Sequence, residues 1–308
     1  MSQVNKQANK KEVLVSIGLP TYKCEPRIRG VLDALLGQTY QNLEIIISDD
    51  ASSDNGIQIC QEYALKDKRI KAIKQGKNIG YLRNFELVLR EAKGEYFFWA
   101  ADDDMWESNF VSTLKDILDK NLDYALAMPS MKQVFADGQV YKNVFFEGSK
   151  NLTRLSYLEI FKMAIRKNPP IEFLYYGLWR TDALKKLMFN KFFDGFPNTI
   201  AHDKTLMYEA SLSYHFYITS DVLWYKTVHR EVFFERYSTD SKKMFLDAKG
   251  YWKFVWGAIK RLTFSPNISH QRKLLLPYFI FLIVWSEKKN LFRELSPTFY
   301  HFLRKTFR

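Results

Sequence analysis

The 308-residue chain has few cysteines, no amino-terminal signal pattern and no apolar segment long enough to span a bilayer. Its two cysteines, Cys24 and Cys60, follow no metal-ligand spacing and do not suggest a disulfide framework. The apolar run at 274–285 has 12 residues, whereas a transmembrane helix needs about 20. The polar amino terminus lacks the apolar core of a secretion signal. We therefore expect a protein of the reducing cytoplasm.

Acidic residues are scarce at the carboxyl-terminal end. Residues 241–308 contain 14 Lys and Arg but only 3 Asp and Glu, which accounts for nearly all of the net charge of +12. With the aromatic-rich run at 274–285, this surplus predicts a helical extension that lies on an anionic membrane surface. The alternative is a buried helix that packs on the core. Nucleic acid is a less suitable partner, because surfaces that follow phosphates are mainly polar and charged.

Buried β-branched segments alternate with amphipathic helices over the first third of the chain. Strands are predicted at 13–19, 43–48, 70–74 and 95–100, with a helix between each pair. This alternation predicts a Rossmann-like α/β/α fold with a mostly parallel sheet, in which ligands bind beyond the carboxyl ends of the strands.

The second half of the chain is less regular. The predicted elements are a hairpin within 124–146, helices at 153–167 and 202–213, a strand at 171–180 and paired strands within 216–230. No internal repeat or linker separates them, which favours one compact catalytic unit with a carboxyl-terminal extension.

Three consecutive aspartates, Asp102, Asp103 and Asp104, follow the fourth predicted strand. A capping box from Asp104 to Glu107 would use one of them. The other two would repel each other at a strand end where solvent competes poorly. Carboxylate oxygens suit Mg²⁺ or Mn²⁺, which also bind substrate phosphates. The triplet therefore predicts a metal–phosphate site.

Asp49 and Asp50 close the second predicted strand. Their segment, DDASSD, is rich in residues that bond their own backbone, so a turn is one interpretation. The other is a ligand-binding role, because the segment lies at the same sheet edge as the acidic triplet.

Four motifs occur in order within residues 13–110. They are VSIGLPTYK (15–23), QTYQNLEIIISDDASSD (38–54), NIGYLRN (78–84) and GEYFFWAADDDMW (94–106). Together they resemble the inverting nucleotide-sugar glycosyltransferases of family 2, which have the GT-A fold. The resemblance implies a nucleotide-sugar-binding half at 13–110 and an acceptor-binding half at 111–240, between a flexible 1–12 and the extension at 241–308.

The resemblance also implies roles for residues of the donor site. Pro20, Thr21 and Tyr22 would pack on the nucleotide base, and Asp50 would bond it. Arg83 would lie near the base or the phosphates, or be a surface charge. Asp102 and Asp103 would contact the ribose and, with Asp104, supply the metal ligands. The family more often has an acid where this chain has Ala101, so the pair that holds the metal stays open.

For the acceptor half, the resemblance implies a catalytic carboxylate at the start of a helix. Asp203 matches this position as the general base, with a helix-terminal charge as the alternative. His202 replaces the family's frequent Glu. His229 resembles a late motif that reaches the metal or the diphosphate, although a structural histidine is the alternative.

These observations predict a metal-dependent enzyme that transfers a sugar from a nucleoside diphosphate sugar to a hydroxyl group. The resemblance favours a UDP-sugar, the commonest donor in the family. The expected acceptor is a glycan or lipid-linked saccharide of the cell envelope, and the expected location is the inner face of the plasma membrane. The oligomeric state stays open. One alternative is a sugar-phosphate nucleotidyltransferase, although the glycine-rich loop of that class is missing after strand one. The other is a basic nucleic-acid-binding protein.

Overall fold

The computed structural model describes residues 12–144, 171–189, 202–229, 248–277 and 280, which form a mixed sheet flanked by helices. The strands are β1 (Val15–Thr21), β2 (Leu43–Asp49), β3 (Ile70–Lys74), β4 (Tyr96–Trp99), β5 (Met105–Trp106), β6 (Tyr124–Phe135), β7 (Val140–Val144), β8 (Leu178–Arg180) and β9 (His215–Val228). The helices are α1 (Ile28–Leu36), α2 (Gly56–Lys66), α3 (Tyr81–Glu91), α4 (Phe110–Lys120), a 3₁₀ helix (Ile171–Tyr176), α5 (Thr181–Met188), α6 (His202–Ser213), α7 (Ala248–Phe264) and α8 (His270–Lys273).

The sheet has the order β3-β2-β1-β4-β8-β6-β9-β5, and β7 pairs with β6. Strands β1 to β4 are mutually parallel. The short β8 is antiparallel to both β4 and β6, so β6 and its parallel neighbour β9 run in the same direction as β1. The expectation of a mostly parallel α/β sheet is confirmed. As a result, the carboxyl ends of β1, β2 and β4 meet at one edge.

The first strands form because their apolar runs are covered by helices on both faces. Every residue of β1 is buried. A Cβ atom added at Gly18 would lie 2.6 Å from the ring of Phe97, so this position needs glycine for the close approach of β1 and β4. This packing fixes the strand ends that carry the polar loops.

Two predicted elements differ from the structure. The segment 171–180 is a 3₁₀ helix followed by β8 rather than one strand, because Tyr175 stacks on Trp99 with ring centroids 4.0 Å apart. The segment 216–230 contains one long strand, β9, rather than a pair. Its Thr219–Asp221 stretch forms an irregularity in the pairing with β6, where the Ser130 hydroxyl donates to the Thr219 carbonyl at 3.1 Å, and not a turn.

Other predicted elements are confirmed. The hairpin is formed by β6 and β7, and its turn contains Gly138 at φ 82°. Helix α6 begins and ends where the sequence predicts, at 202–213. The predicted flexible segment 1–12 (apart from residue 12), the helix at 153–167 and most of 274–285 lie outside the described residues.

Helix α7, in the basic extension, packs on α6 through a buried polar network. The Arg261 guanidinium donates through Nε to Glu209 and through Nη2 to the Leu187 carbonyl at 2.8 Å. Ser265 and Asn267 also donate to the Glu209 carboxylate. Glu209, Arg261 and Ser265 are almost fully buried. Within the part of the chain that the structure describes, no helix is long and apolar enough to cross a membrane.

Candidate donor and acceptor site

The loops that follow β1, β2 and β4 meet at one edge of the sheet. The Asp50 N–H donates to the Thr21 carbonyl at 3.0 Å, and the Ala100 N–H donates to the Gly18 carbonyl at 2.8 Å. The Asn84 amide on α3 donates to the carbonyls of Thr21 at 3.4 Å and Ser48 at 2.8 Å. These bonds hold the three predicted donor-site segments together.

The three residues predicted to pack on the nucleotide base have different environments. Pro20 and Thr21 are buried in β1, and the Thr21 hydroxyl donates to the Ser48 carbonyl at 3.5 Å. Tyr22 is 49% exposed, with the Lys23 ammonium 5.4 Å from its ring centroid. Of the three side chains, Tyr22 therefore presents an open aromatic face at this edge.

Asp49 and Asp50, at the end of β2, differ in their contacts, so the turn role and the ligand-binding role predicted for them apply to different residues. The Asp49 carboxylate closes its own turn by accepting from the N–H and the hydroxyl of Ser52, at 3.0 and 2.5 Å. Asp50 instead accepts from the N–H groups of Ile79 and Gly80, at 2.6 and 3.1 Å. The turn interpretation fits Asp49, whereas Asp50 holds the start of α3 beside the Thr21 loop.

Arg83 is exposed in the first turn of α3. Because this helix starts at the Asp50 loop, its position fits either a ligand contact or the surface charge named as the alternative.

Each aspartate of the acidic triplet has a basic side chain beside it. The Arg27 Nη2 donates to Asp102 at 3.0 Å, and His229 Nε2 lies 2.7 Å from an Asp103 carboxylate oxygen. The Lys226 Nζ lies 3.6 Å from Asp104. Protein groups therefore compensate part of the charge repulsion that the sequence left unexplained.

Asp104 is fully buried and serves as an anchor between β5 and β9. It accepts from the Trp224 indole N–H and the Thr227 backbone N–H, both at 2.9 Å. Burial raises the pKa of Asp104 to about 6, although the Lys226 ammonium acts in the opposite direction. The capping-box interpretation is wrong, because α4 begins only after Asn109. These contacts also argue against the predicted metal-ligand role of Asp104.

Asp102 and Asp103 are better suited to a cation, because their side chains keep 20% and 21% of their surface exposed. Two adjacent carboxylates fit Mg²⁺ or Mn²⁺, which typically bind one or two carboxylates plus phosphate oxygens. His229 contacts the Asp103 carboxylate at 2.7 Å, so in the present arrangement it is a hydrogen-bond partner of a candidate ligand. Among the described residues, no group of three or more His, Cys, Asp and Glu side chains is arranged to hold a metal, so phosphate or water oxygens would have to complete the shell.

Asp203 lies half-buried in the first turn of α6. Tyr176, at the end of the 3₁₀ helix, lies near the acidic triplet, since the Lys226 ammonium beside Asp104 is 5.3 Å from its ring centroid. Burial raises the pKa of Tyr176 to about 12, with further electrostatic contributions from Lys226, Asp203, Asp104 and Asp103. The charges of Asp203, Asp103 and Asp104 therefore all act on one tyrosine, as expected if the predicted base lies near the acidic triplet. The side chain of His202 lies outside the described residues.

Arg27, Tyr176 and Lys226 were not predicted as site residues. One sequence signal could have identified Lys226: side chains two positions apart on a strand lie on the same face, so Lys226 shares a face with Trp224. Nothing local marks Arg27 or Tyr176, which reach the triplet through the tertiary fold. Trp179 and Trp224 do not offer their rings to a sugar, because both are buried in the core.

The amino-acid sequence matches the model of a known protein family. The family model described as Glycosyl transferase family 2 matches residues 16–185, more than half of the chain. The chain belongs to this family. The predicted family and enzyme class, glycosyltransferase, are thereby confirmed.

Relatives and solved structures agree with this assignment. The Escherichia coli protein named UDP-Glc:alpha-D-GlcNAc-diphosphoundecaprenol beta-1,3-glucosyltransferase WfaP is 37% identical over 99 residues, which are 32% of this chain and 39% of that protein. The chain matches its curated relatives over only 16% to 46% of their own length.

Two solved structures show the same fold. S. aureus TarS 1–349 in complex with UDP superposes with a TM-score of 0.60 at 18% identity, covering 92% of each chain. The mannosyltransferase PcManGT from Pyrobaculum calidifontis, in complex with GDP-Man and Mn²⁺, gives 0.52 at 15% identity, covering 95% of this chain and 78% of that one. The predicted GT-A fold is confirmed.

Proposed function

We propose that the chain is a metal-dependent, inverting glycosyltransferase that transfers a sugar from a UDP-sugar to a hydroxyl group of a glycan or lipid-linked saccharide in the synthesis of a cell-envelope polysaccharide. The observation that carries the proposal is that the charges of Asp103 and Asp203 both act on the buried Tyr176, whose ring centroid lies 5.3 Å from the Lys226 ammonium beside the acidic triplet. The names of WfaP, with its lipid-linked acceptor, and of the TarS complex with UDP support the donor and acceptor classes.

The donor would lie along the edge formed by the loops after β1, β2 and β4. Tyr22 offers an aromatic face to the base, and the Asp50 carboxylate lies at the same edge. Asp102 and Asp103 would hold the cation at the diphosphate. When bound, Mg²⁺ or Mn²⁺ neutralises charge that develops on the leaving diphosphate.

The acceptor would enter from the α6 side. The Asp203 carboxylate takes the proton from the acceptor hydroxyl while the hydroxyl oxygen bonds to the anomeric carbon. The bond from that carbon to the diphosphate oxygen breaks, and the diphosphate leaves with the electron pair. Attack opposite the leaving group inverts the configuration. Asp203 lies in the first turn of α6, where the helix dipole provides positive potential.

The first test is a set of thermal-shift measurements with UDP, GDP, CDP and dTDP, each with and without MnCl₂. We expect UDP with Mn²⁺ to stabilise the protein, because a ligand that binds the native state raises the melting temperature. If no nucleotide stabilises the protein with or without metal, the proposed function is wrong.

The catalytic test is Asp203→Asn, which keeps the shape of the side chain but cannot take a proton. We expect unchanged UDP affinity and a loss of transfer of at least about 100-fold. Asp182→Asn is the matched control, because Asp182 is an exposed carboxylate in the first turn of α5. Full turnover by the Asp203 variant would contradict the base assignment. Release of pyrophosphate rather than UDP would indicate nucleotidyl transfer instead.

A lipid-linked acceptor also fits the basic segment 241–308, which we propose contacts the inner face of the plasma membrane. Flotation with liposomes that contain anionic lipid should recover the full chain at low salt and less of it at high salt. Salt-sensitive binding to nucleic acid without liposome association would contradict this part of the proposal.

A further inference from the structure

We propose that Arg27 is a binding residue for the diphosphate of the donor, and that it reaches the diphosphate by leaving Asp102. The inference rests on the proposed function, because it names one more residue of the donor site. Neither the motifs nor the family resemblance assigns a role to this arginine.

Arg27 lies at the sheet edge where the donor is expected. It follows the loop after β1 and directly precedes α1, and its backbone N–H donates to the Cys24 carbonyl at 2.9 Å. The amino-terminal end of α1 adds positive potential beside it. Neither Arg27 nor the first turn of α1 is compensated by an acidic residue within that turn. The helix end and the guanidinium therefore offer positive potential to an anion once Arg27 leaves Asp102.

The hydrogen bonds of the guanidinium are incomplete. Its Nη2 donates to Asp102 at 3.0 Å and to the Lys23 carbonyl at 3.2 Å. Its Nε is buried and has no hydrogen-bond partner. A buried donor without a partner is uncommon in folded proteins and indicates a missing acceptor. A phosphate group, with two oxygens at the Nε and Nη2 edge, would accept from both nitrogens, which the present contact with one oxygen of Asp102 does not do.

The pair is also placed to exchange partners. The side chains of Arg27 and Asp102 are 35% and 20% exposed, so a ligand can approach both. The neighbouring pair of Lys226 and Asp104 is different, because the Asp104 side chain is fully buried and bonded by Trp224 and Thr227. Arg27 is thus an exchangeable counter-ion of the triplet, whereas Lys226 is a built-in one.

This exchange couples nucleotide binding to metal binding. While Arg27 neutralises Asp102, a divalent cation must compete with it for the carboxylate. A diphosphate that draws Arg27 away frees Asp102, so each ligand should raise the affinity for the other. Without nucleotide, the metal should bind weakly.

The test is calorimetric titration of the full chain with UDP, and with inorganic pyrophosphate as a probe without a base, each with and without MnCl₂. We expect Arg27→Gln to weaken binding of both probes by about 10- to 100-fold in the presence of Mn²⁺, the usual effect of losing hydrogen bonds to a charged group. We expect the same variant to bind Mn²⁺ alone several-fold more tightly than the wild type. Arg29→Gln is the matched control, because Arg29 lies on α1 but forms a surface ion pair with Glu62 on α2.

The outcomes separate the two proposals. If the wild type binds neither probe with Mn²⁺, the proposed function and this inference both fail. If the wild type binds and Arg27→Gln matches it, only the role of Arg27 is wrong. Arg27→Lys, which keeps the charge but lacks the two-nitrogen edge, should fold and give an intermediate affinity. If circular dichroism shows that both variants lose the fold, the ion pair of Arg27 and Asp102 is needed for folding, and the inference is overturned.

Discussion

Asp104 differs from the two aspartates before it because its carboxylate is enclosed between β5 and β9. Burial is the main reason that its pKa is raised to about 6. Between about pH 4 and pH 6, the native protein therefore holds a proton on Asp104 that the unfolded chain releases. Its contribution to the free energy of unfolding must decrease as the pH rises through this window.

Asp104→Asn tests this relation, because asparagine cannot ionise. The stability advantage of the wild type over Asp104→Asn should shrink by about 1–3 kcal/mol between pH 4 and pH 7, measured by urea denaturation. Asp123→Asn, at an exposed position, should show no comparable change. An advantage that stays constant or grows with pH would show that burial does not control this carboxylate.

The sequence allowed some site residues to be predicted but not others. Asp102 and Asp103 could be predicted because a strand end and a charge repulsion mark them locally. Arg27 could not, since its ion pair with Asp102 joins residues 75 positions apart. The environment of Asp104 also required the fold, because its partners come from β9.

At the scale of elements, the start of α3 depends on a glycine. Gly80 has φ 86°, a backbone conformation that residues with a side chain rarely adopt, and its N–H donates to the Asp50 carboxylate. This bond joins α3 to the end of β2. The backbone of one residue therefore controls how the helix meets the donor site.

Gly80→Ala should lower the free energy of unfolding by about 1–2 kcal/mol and weaken UDP binding, because the strained residue pulls its N–H away from Asp50. Thermal unfolding and titration with UDP and MnCl₂ measure the two effects. Gly76→Ala is the control, since a Cβ atom there meets no other atom within 4 Å. Equal losses in the two variants would contradict this role of Gly80.

Elements with a clear period could be predicted, whereas those set by long-range contacts could not. Helix α1 carries an apolar stripe at helical spacing, and β1, β2 and β4 are marked by short continuous apolar runs. The 3₁₀ helix at Ile171–Tyr176 does not, because the stacking of Tyr175 on Trp99 decides its conformation. The sequence predicts paired strands over 216–230, whereas the structure has one. The Thr219–Asp221 stretch consists of residues common in turns but forms an irregularity within β9.

At the scale of the whole molecule, the network around Glu209 joins α7 of the basic extension to α6, the helix that carries Asp203. Helix α7 follows the boundary predicted at residue 241, and this network packs it against α6. Burial lowers the pKa of Arg261 to about 10, while Glu209 opposes that shift. The ion pair keeps the guanidinium charged at neutral pH.

Arg261→Met should reduce the free energy of unfolding by about 3–5 kcal/mol, because it leaves the Glu209 carboxylate buried without its cation. It should also lower transfer, since α6 loses a support behind Asp203. Urea denaturation and a transfer assay measure both effects, with the exposed Lys260→Met on the same helix as the control. A double variant, Glu209→Gln with Arg261→Met, should lose less than the sum of the single variants.

The indole N–H of Trp224 donates to Asp104 at 2.9 Å, and the Lys226 ammonium lies 5.6 Å from the same ring. The ring therefore lies in the electric field of the acidic triplet, two of whose members are partly exposed. An arriving nucleotide would change that field, and so the colour and intensity of the light that this tryptophan emits. We therefore expect tryptophan fluorescence to change on titration with UDP and MnCl₂, which would report an occupied donor site without any attached dye.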